Sequence, residues 1–469
     1  MLNNPLHDYR PLFVGLDVLC PLLDGSTRCY TSLDNAASTP PLKAVQHAVN
    51  DFLVYYSSVH RGTGFKSQLS THVYEQARQI VMQFVGANPF DHTCIFSKNT
   101  TEAINKLARR FPLQGKRNII ITSGIEHHSN DLPWRAVARV IHINLIQSGK
   151  LDIDDFESQL SKYADQVALV AITGASNVTG YLPPIYRLAE HAHAAGAMFM
   201  VDCAQLAPHR KIDMLSLEDP AHLDFISLSA HKMYAPFGTG ALIGRKDIFE
   251  QGDPDMTGGG TVEIVTLDNV VWTVPPEREE AGSPNVVGAV ALAAAIQELE
   301  TIGMAEVARH EAELTRYALE CLPAIRGIHI YGDTNPANAD SRLGVIPLQL
   351  EQMDHFLTAA VLGYEFGIGV RSGCFCAHPY ILNLLGLSKQ EATQVRQQIM
   401  SGDKSEMPGL IRASFGLYNT IEDVDYLVEA LKRISAGDYQ GKYIQDPTTG
   451  EYAPQHWMPD FSKYFSLYK

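Results

Sequence analysis

The stretch "VALVAITGASNVTGYLPPIYRLAEHAHAAGAMFMVD", Val167 to Asp202, decides the fold. It opens on seven residues that are apolar or β-branched, the composition of a strand buried on both faces. A turn-rich segment follows, and then "PIYRLAEHAHAAG" has helical composition and ends in Gly196, a residue suited to a helix C-terminus. A second apolar run, "AMFMVD" (197–202), completes a strand, helix and strand. Two adjacent strands joined through a helix run parallel. Working outward, "NIIIT" (118–122) and "DFISLS" (224–229) read as further short strands of the same sheet. Strands alternating with helices predict a mainly parallel α/β sheet, whose ligand sits beyond the carboxyl ends of the strands.

Upstream, Val73, Ala77, Ile80, Val81 and Phe84 recur at helical spacing behind the caps Ser70 and Thr71, and the helix should stop near Gly86. Downstream of Pro284, the alanine-rich segment "VVGAVALAAAIQELETIGMAEVARHEAELTRYALECL" reads as one long helix, with an interruption near Gly303 left open. It links a large unit to a smaller C-terminal one.

The chain has 469 residues, 45% of them hydrophobic, and a formal charge of −15. That length builds a large core. The charge argues against a nucleic acid or an anionic membrane as partner, since a phosphate-binding face would work against the global field. Residues 1–30 lack a basic segment followed by an apolar one, so no signal peptide is expected. The apolar run around Val286 to Ile296 is too short to span a bilayer. Seven cysteines, few and odd in number, fit a reducing compartment. A soluble cytoplasmic protein is the expectation. No metal site is expected: Cys374 and Cys376 have no second ligand pair, and His191 and His193 are two apart on a helix.

Several polar residues fall at predicted strand ends. In "SLSAHKMYAPFGTG" Lys232 follows a strand, flanked by Ser229 and His231, where an amine is placed to form a Schiff base with a carbonyl cofactor. Asp202 ends "AMFMVD"; it is either a helix cap or the anion that faces a protonated pyridine ring. Asn99, Thr100 and Thr101 precede a helix and suit capping or a phosphate.

Together with "LDNAAST" (33–39), "VHRGTG" (59–64), "NTTEAIN" (99–105), "EHHSNDLPW" (126–134), "SNVTG" (176–180), "VDCAQ" (201–205), "SAHK" (229–232), "GGG" (258–260), "EAGSPN" (280–285), "VRSGCFCA" (370–377) and "RASFGLYNT" (412–420), these stretches resemble a known group. It is the fold-type I enzymes of pyridoxal phosphate (PLP), more narrowly the class V group with the cysteine desulfurases and selenocysteine lyases of the Suf type. The resemblance runs in order from about residue 30 to 435.

It implies an aspartate aminotransferase-like architecture. Residues 31–297 would form the large PLP domain, 1–30 and 298–435 a smaller α+β domain, and 436–469 an extension. Lys232 would hold the PLP aldehyde and move substrate protons. Asp202 would face the ring nitrogen, Gln205 and Asn177 the ring hydroxyl, and His127 would be a catalytic residue that stacks on the ring and assists proton transfer. Thr100, Thr101, Ser229 and His231 would bind the phosphate, joined by Ser283 of a neighbouring subunit, which implies a homodimer. Arg412 would clamp the substrate carboxylate. Cys376 would be the nucleophile that takes sulfur from L-cysteine for a sulfur-acceptor protein, with Arg371 serving the cysteine loop on the substrate side. Arg371 and His378 make that loop an electropositive setting of the kind that lowers a thiol pKa; Cys374 has at most a supporting or redox-sensitive part.

The segment 380–408 has no counterpart in the Suf-type enzymes and reads as a lid, a docking element or added surface. Besides a desulfurase, a selenocysteine lyase, C–S lyase or aminotransferase on the same scaffold, and a noncatalytic sulfur-transfer protein, are the readings carried forward.

Overall fold

The computed structural model describes residues 6–113 and 115–468. A seven-stranded sheet forms its centre, from β1 (His92–Ser97), β2 (Ile119–Ser123), β3 (Arg139–Ile143), β4 (Val167–Thr173), β5 (Met198–Asp202), β6 (Phe225–Ser229) and β7 (Gly240–Arg245). Their spatial order is β1-β7-β6-β5-β4-β2-β3. Pairing is parallel from β3 through to β6, and β7 alone runs antiparallel to its neighbours β6 and β1. Every residue of β2, β4 and β6 is buried, as strands covered by helices on both faces must be. The opening stretch folds as its sequence dictates: β4, then α1 (Ile185–Ala194), then β5, with Gly196 at φ +72° beyond the helix.

Three strands were not legible from the apolar runs: β1, the half-exposed edge strand β3, and β7. Gly240, at the start of β7, is a close-approach glycine. A Cβ there would lie 2.6 Å from the Leu228 carbonyl oxygen and 2.7 Å from the Asn99 backbone. Backbone on both sides leaves no side chain to yield. We therefore expect Gly240→Ala to cost about 1–3 kcal/mol of stability and to push Asn99 from its place, read as a lower melting temperature.

The helix holding Val73 to Phe84 begins at Phe65, a turn before the predicted caps. Ser70 and Thr71 cap nothing of their own helix; they accept from the backbone N–H of Ser57 and His60 and so pin the preceding loop. The predicted long helix after Pro284 is two helices, Val286–Ile302 and Met304–Cys321, bent by 77° about Gly303 at φ +91°. That conformation is open to glycine at little cost, and it lets the first helix pack on Lys43–Leu53 and Phe65–Phe84 while the second turns away.

The second helix joins a four-stranded antiparallel sheet of β8 (Ile328–Ile330), β9 (Val345–Leu350), β10 (Arg371–Gly373) and β11 (Leu410–Ser414), in the order β8-β9-β11-β10. A separate apolar core, including Leu314, Ile346, Leu362, Ile411 and Leu431, fills this part. Among the described residues no single helix is long and apolar enough to cross a membrane.

Candidate active site

The carboxyl ends of the central strands open onto a cavity of about 330 Å³. Each strand end delivers part of its wall. After β1 come Asn99, Thr100 and Thr101; after β2, His127; after β4, Asn177; at the end of β5, Asp202; after β6, His231 and Lys232. The small sheet closes the other side with Arg371 and Cys376 from the β10 end and Arg412 from β11. Of the residues that the resemblance assigns to cofactor, substrate or catalysis, Ser283 alone lies elsewhere, in a groove with Val59, His60, Arg61, Gly259 and Gly260.

At the phosphate-type corner, Asn99 caps the helix Thr100–Arg110 by accepting from the Glu102 N–H at 3.0 Å. The first-turn N–H groups of such a helix attract an anion. Thr100 Oγ1 is buried with no partner, which leaves a donor facing the cavity. Thr101 and Ser129 share a hydrogen bond at 2.7 Å.

At the floor, Asp202 is 4% exposed, and burial pushes its carboxyl pKa up despite the nearby Lys232 charge. Burial likewise drives the Lys232 amine down to about 8, with Asp202 opposing the shift and Arg412 adding to it. Burial, then the Lys232 charge, holds His127 down at about 3, so its imidazole is neutral. Its Nδ1 accepts from the Ser129 N–H at 3.1 Å, which puts the ring proton on Nε2. His231 is also held low, at about 4, chiefly by burial. Gln205 donates Nε2 to the Ala36 carbonyl at 2.5 Å, and Ser229 is buried beside Lys232.

The cysteine loop is fixed at several points. Phe375 and Cys376 both have left-handed backbone, φ +51° and +55°, unusual for side chains with a Cβ. Asn177 Nδ2 donates to the Phe375 carbonyl at 2.7 Å, and the His128 N–H to the Cys376 carbonyl at 2.8 Å. The turn carries the Cys376 side chain into the cavity, exposed, and turns Cys374 inward. Cys374 donates its thiol to the Pro408 carbonyl at 3.0 Å, and burial pushes its pKa up to about 12. All seven cysteines are free.

One expectation needs correcting. His378 does not supply positive charge to Cys376: its Nδ1 meets His128 Nε2 at 3.2 Å, and burial lowers its pKa, so it stays neutral. Arg371 is paired with Asp34 at 2.7 Å. Lys232 and Arg412 line the same cavity as Cys376.

The segment 380–408 is anchored at both ends. Tyr380, in the helix His378–Leu384, donates to the Gly149 carbonyl at 2.8 Å. At the far end the Lys404 N–H reaches the Pro447 carbonyl and Gln445 Nε2 the Ser405 carbonyl, joining the segment to the C-terminal hairpin. The helix between, Lys389–Met400, buries none of its residues.

Sequence reasoning missed Asp34 and Phe375. Asp34 stands in the quoted motif "LDNAAST", and its contact with two arginines depends on a chain reversal of more than 300 residues that no local pattern announces.

The aminotransferase class-V family profile matches residues 31–427. The chain is 35% identical over 438 residues to a "Probable cysteine desulfurase" of Halalkalibacterium halodurans, covering 91% of this chain and 97% of that one. It is equally identical, over 437 residues, to a protein of the same description from Staphylococcus aureus, with 91% and 96% covered. Among solved structures it resembles the apo cysteine desulfurase of Thermococcus onnurineus NA1, with a TM-score of 0.75, 33% identity and coverage of 87% and 95%. The cysteine desulfurase CsdA of Escherichia coli, in an S-sulfonic acid form, gives a TM-score of 0.74 at 29% identity, with coverage of 92% and 98%. With most of its length matched on both counts, the chain belongs to the class V aminotransferase family, in the group of the cysteine desulfurases.

Proposed function

We propose that the protein is a PLP-dependent cysteine desulfurase, which converts L-cysteine to L-alanine and keeps the sulfur as a persulfide on Cys376. The observation that carries this reading is the presence of Cys376 in the same cavity as Lys232, Asp202 and Arg412.

The residues fit the cofactor. The unpartnered Thr100 hydroxyl and the free N–H groups of its helix suit the phosphate, aided by Ser229 and His231. A protonated ring nitrogen would give the buried Asp202 a cation in direct contact, with Gln205 and Asn177 on the ring-hydroxyl side. Lys232 is the amine for the covalent link. When bound, PLP supplies an electron sink for charge developing at the substrate Cα.

The chain's own residues do the rest. Arg412, whose Nε is buried without a partner, has a donor free for the substrate carboxylate and so fixes the Cα over the site. Lys232, with its pKa near 8, can take and return the Cα proton at neutral pH. His127 lines the cavity as a neutral ring with its proton on Nε2. The Cys376 thiolate attacks the substrate sulfur: an S–S bond forms as the Cβ–S bond breaks, and the three-carbon remainder takes up protons to become L-alanine.

Ser283, off the cavity of its own chain, supports a homodimer in which it serves the partner's phosphate site. The seven free thiols support the cytoplasm as compartment, and the persulfide calls for a sulfur-acceptor protein.

The test is product analysis: protein loaded with PLP, given L-cysteine and a reductant, should release alanine. Pyruvate in its place, or a protein that never acquires visible absorption with PLP, overturns the reading. Loading has its own pH signature. Only the neutral amine attacks an aldehyde, so the rate of covalent PLP capture should rise with pH and level off above about 8. An ordinary lysine would keep the rate climbing well past pH 9.

A further inference from the structure

Arg412 is held from three sides. Its Nη1 donates to the Asn177 carbonyl at 2.9 Å, and its Nη2 to Asp34 Oδ1 at 3.1 Å. The third contact is aromatic: the guanidinium lies over the Phe375 ring, with Cζ 4.8 Å from the ring centroid. Phe375 is itself buried, lines the cavity and directly precedes Cys376. Its carbonyl accepts from Asn177 Nδ2 at 2.7 Å. Asn177, Phe375 and Arg412 thus close a triangle in which each contacts the other two, and it ties the cysteine loop to β11.

The chemistry of the third contact suits an arginine that must still take a ligand. A second carboxylate beside Arg412 would steady the cation too, but it would compete with an incoming carboxylate for the same charge. A ring attracts the cation through its quadrupole and adds no formal charge. Arg412 Nε is left buried and without a partner. The backbone points the same way. Phe375 keeps φ at +51°, uncommon for a residue with a Cβ, between a thiol turned inward and a thiol in the cavity.

Resting on the reading above of Arg412 as the grip on the substrate α-carboxylate, we infer that Phe375 is a positioning residue for the reaction: its ring fixes the Arg412 guanidinium, so that the loop presenting the Cys376 thiol also sets the place of the substrate carboxylate. Thiol and substrate are then registered against one another through adjacent residues of one turn.

The test separates an aromatic face from apolar bulk. Phe375→Leu and Phe375→Met fill the space without a face, Phe375→Tyr keeps the face, and all three retain a Cβ at the left-handed position. L-Alanine and L-alaninamide are the probes, since they differ in the carboxylate that Arg412 would hold. Their dissociation constants would be measured by calorimetry on the PLP-loaded protein, alongside kcat and KM for L-cysteine and the melting temperature of each variant. The parent should prefer L-alanine. That preference should fall by about tenfold in the Leu and Met variants, the weight of a desolvated cation–π contact, with KM rising by more than kcat falls. Phe375→Tyr should retain most of the preference. A packing role alone would weaken both ligands in parallel and would be met by leucine or methionine. An unmoved ratio in those two variants, or a tyrosine variant that loses the preference as fully as they do, overturns the inference. The outcomes separate from those of the desulfurase reading. Alanine release from L-cysteine with an unmoved ratio sinks the Phe375 role alone, and a moved ratio without alanine release sinks the desulfurase and keeps that role.

Discussion

Lys232→Ala should abolish covalent retention of PLP, so that gel filtration strips the cofactor, and should lower alanine release by about 10²-fold to 10⁴-fold, the range expected when a positioned base is removed. The proposed role rests on where this amine lies. It lies at the carboxyl edge of β6 with Asp202 from β5 close by, and burial brings its pKa to about 8, so much of it is neutral at working pH. Lys232→Arg separates charge from basicity. A guanidinium stays protonated and cannot take the Cα proton, so the arginine variant should be as slow as the alanine one although the positive charge is kept. Small primary amines added to Lys232→Ala should restore part of the turnover by entering the vacated space; rescue of the arginine variant to the same extent would mean that the amine's role is not proton transfer.

Much of this site was legible because it hangs on strand ends. A buried parallel strand announces itself as an apolar run, and whatever follows its last residue must face the ligand side; hence Asp202 after "AMFMV" and Lys232 after "DFISLS". β3 and β7 escaped for opposite reasons: β3 is an edge strand with mixed burial, and β7 contains two glycines and ends in an arginine, so its apolar run is diluted. The caps Ser70 and Thr71 misled because Ser and Thr hydroxyls serve a neighbouring loop as readily as their own helix.

Charge was harder to read than place. The sequence puts Arg371 and His378 close to Cys376, and adjacency suggests a cationic pocket. The fold hands Arg371 to Asp34, more than 300 positions earlier, and lets His378 meet a second histidine, while Lys232 and Arg412 arrive from other strands. Sequence distance carries no sign of such pairings. Asp34 shows the same limit: its motif was visible, but its partners were not.

The pair Cys374 and Cys376 separates most cleanly by substitution. Cys376→Ser should cut alanine release from L-cysteine by about 10²-fold or more, the cost of removing a group that bonds directly to the reacting atom. Serine is the right replacement because it keeps a Cβ: at φ +55° a glycine would also relax the backbone and confound the result. Cys374→Ser should leave alanine release within about threefold and cost about 1 kcal/mol of stability, since the new hydroxyl inherits the Pro408 carbonyl as its acceptor in a buried place. A thiol-reactive alkylating agent at neutral pH gives an independent check. Cys376 is exposed in the cavity, whereas burial pushes the Cys374 pKa up to about 12 and keeps it as the unreactive thiol. Modification at Cys376 should therefore track the loss of activity, with L-cysteine protecting. If the alkylated residue whose labelling follows inactivation is Cys374, or if Cys376→Ser retains full turnover, the sulfur goes elsewhere, and the strained turn that carries Cys376 into the cavity has some other purpose than to present a nucleophile.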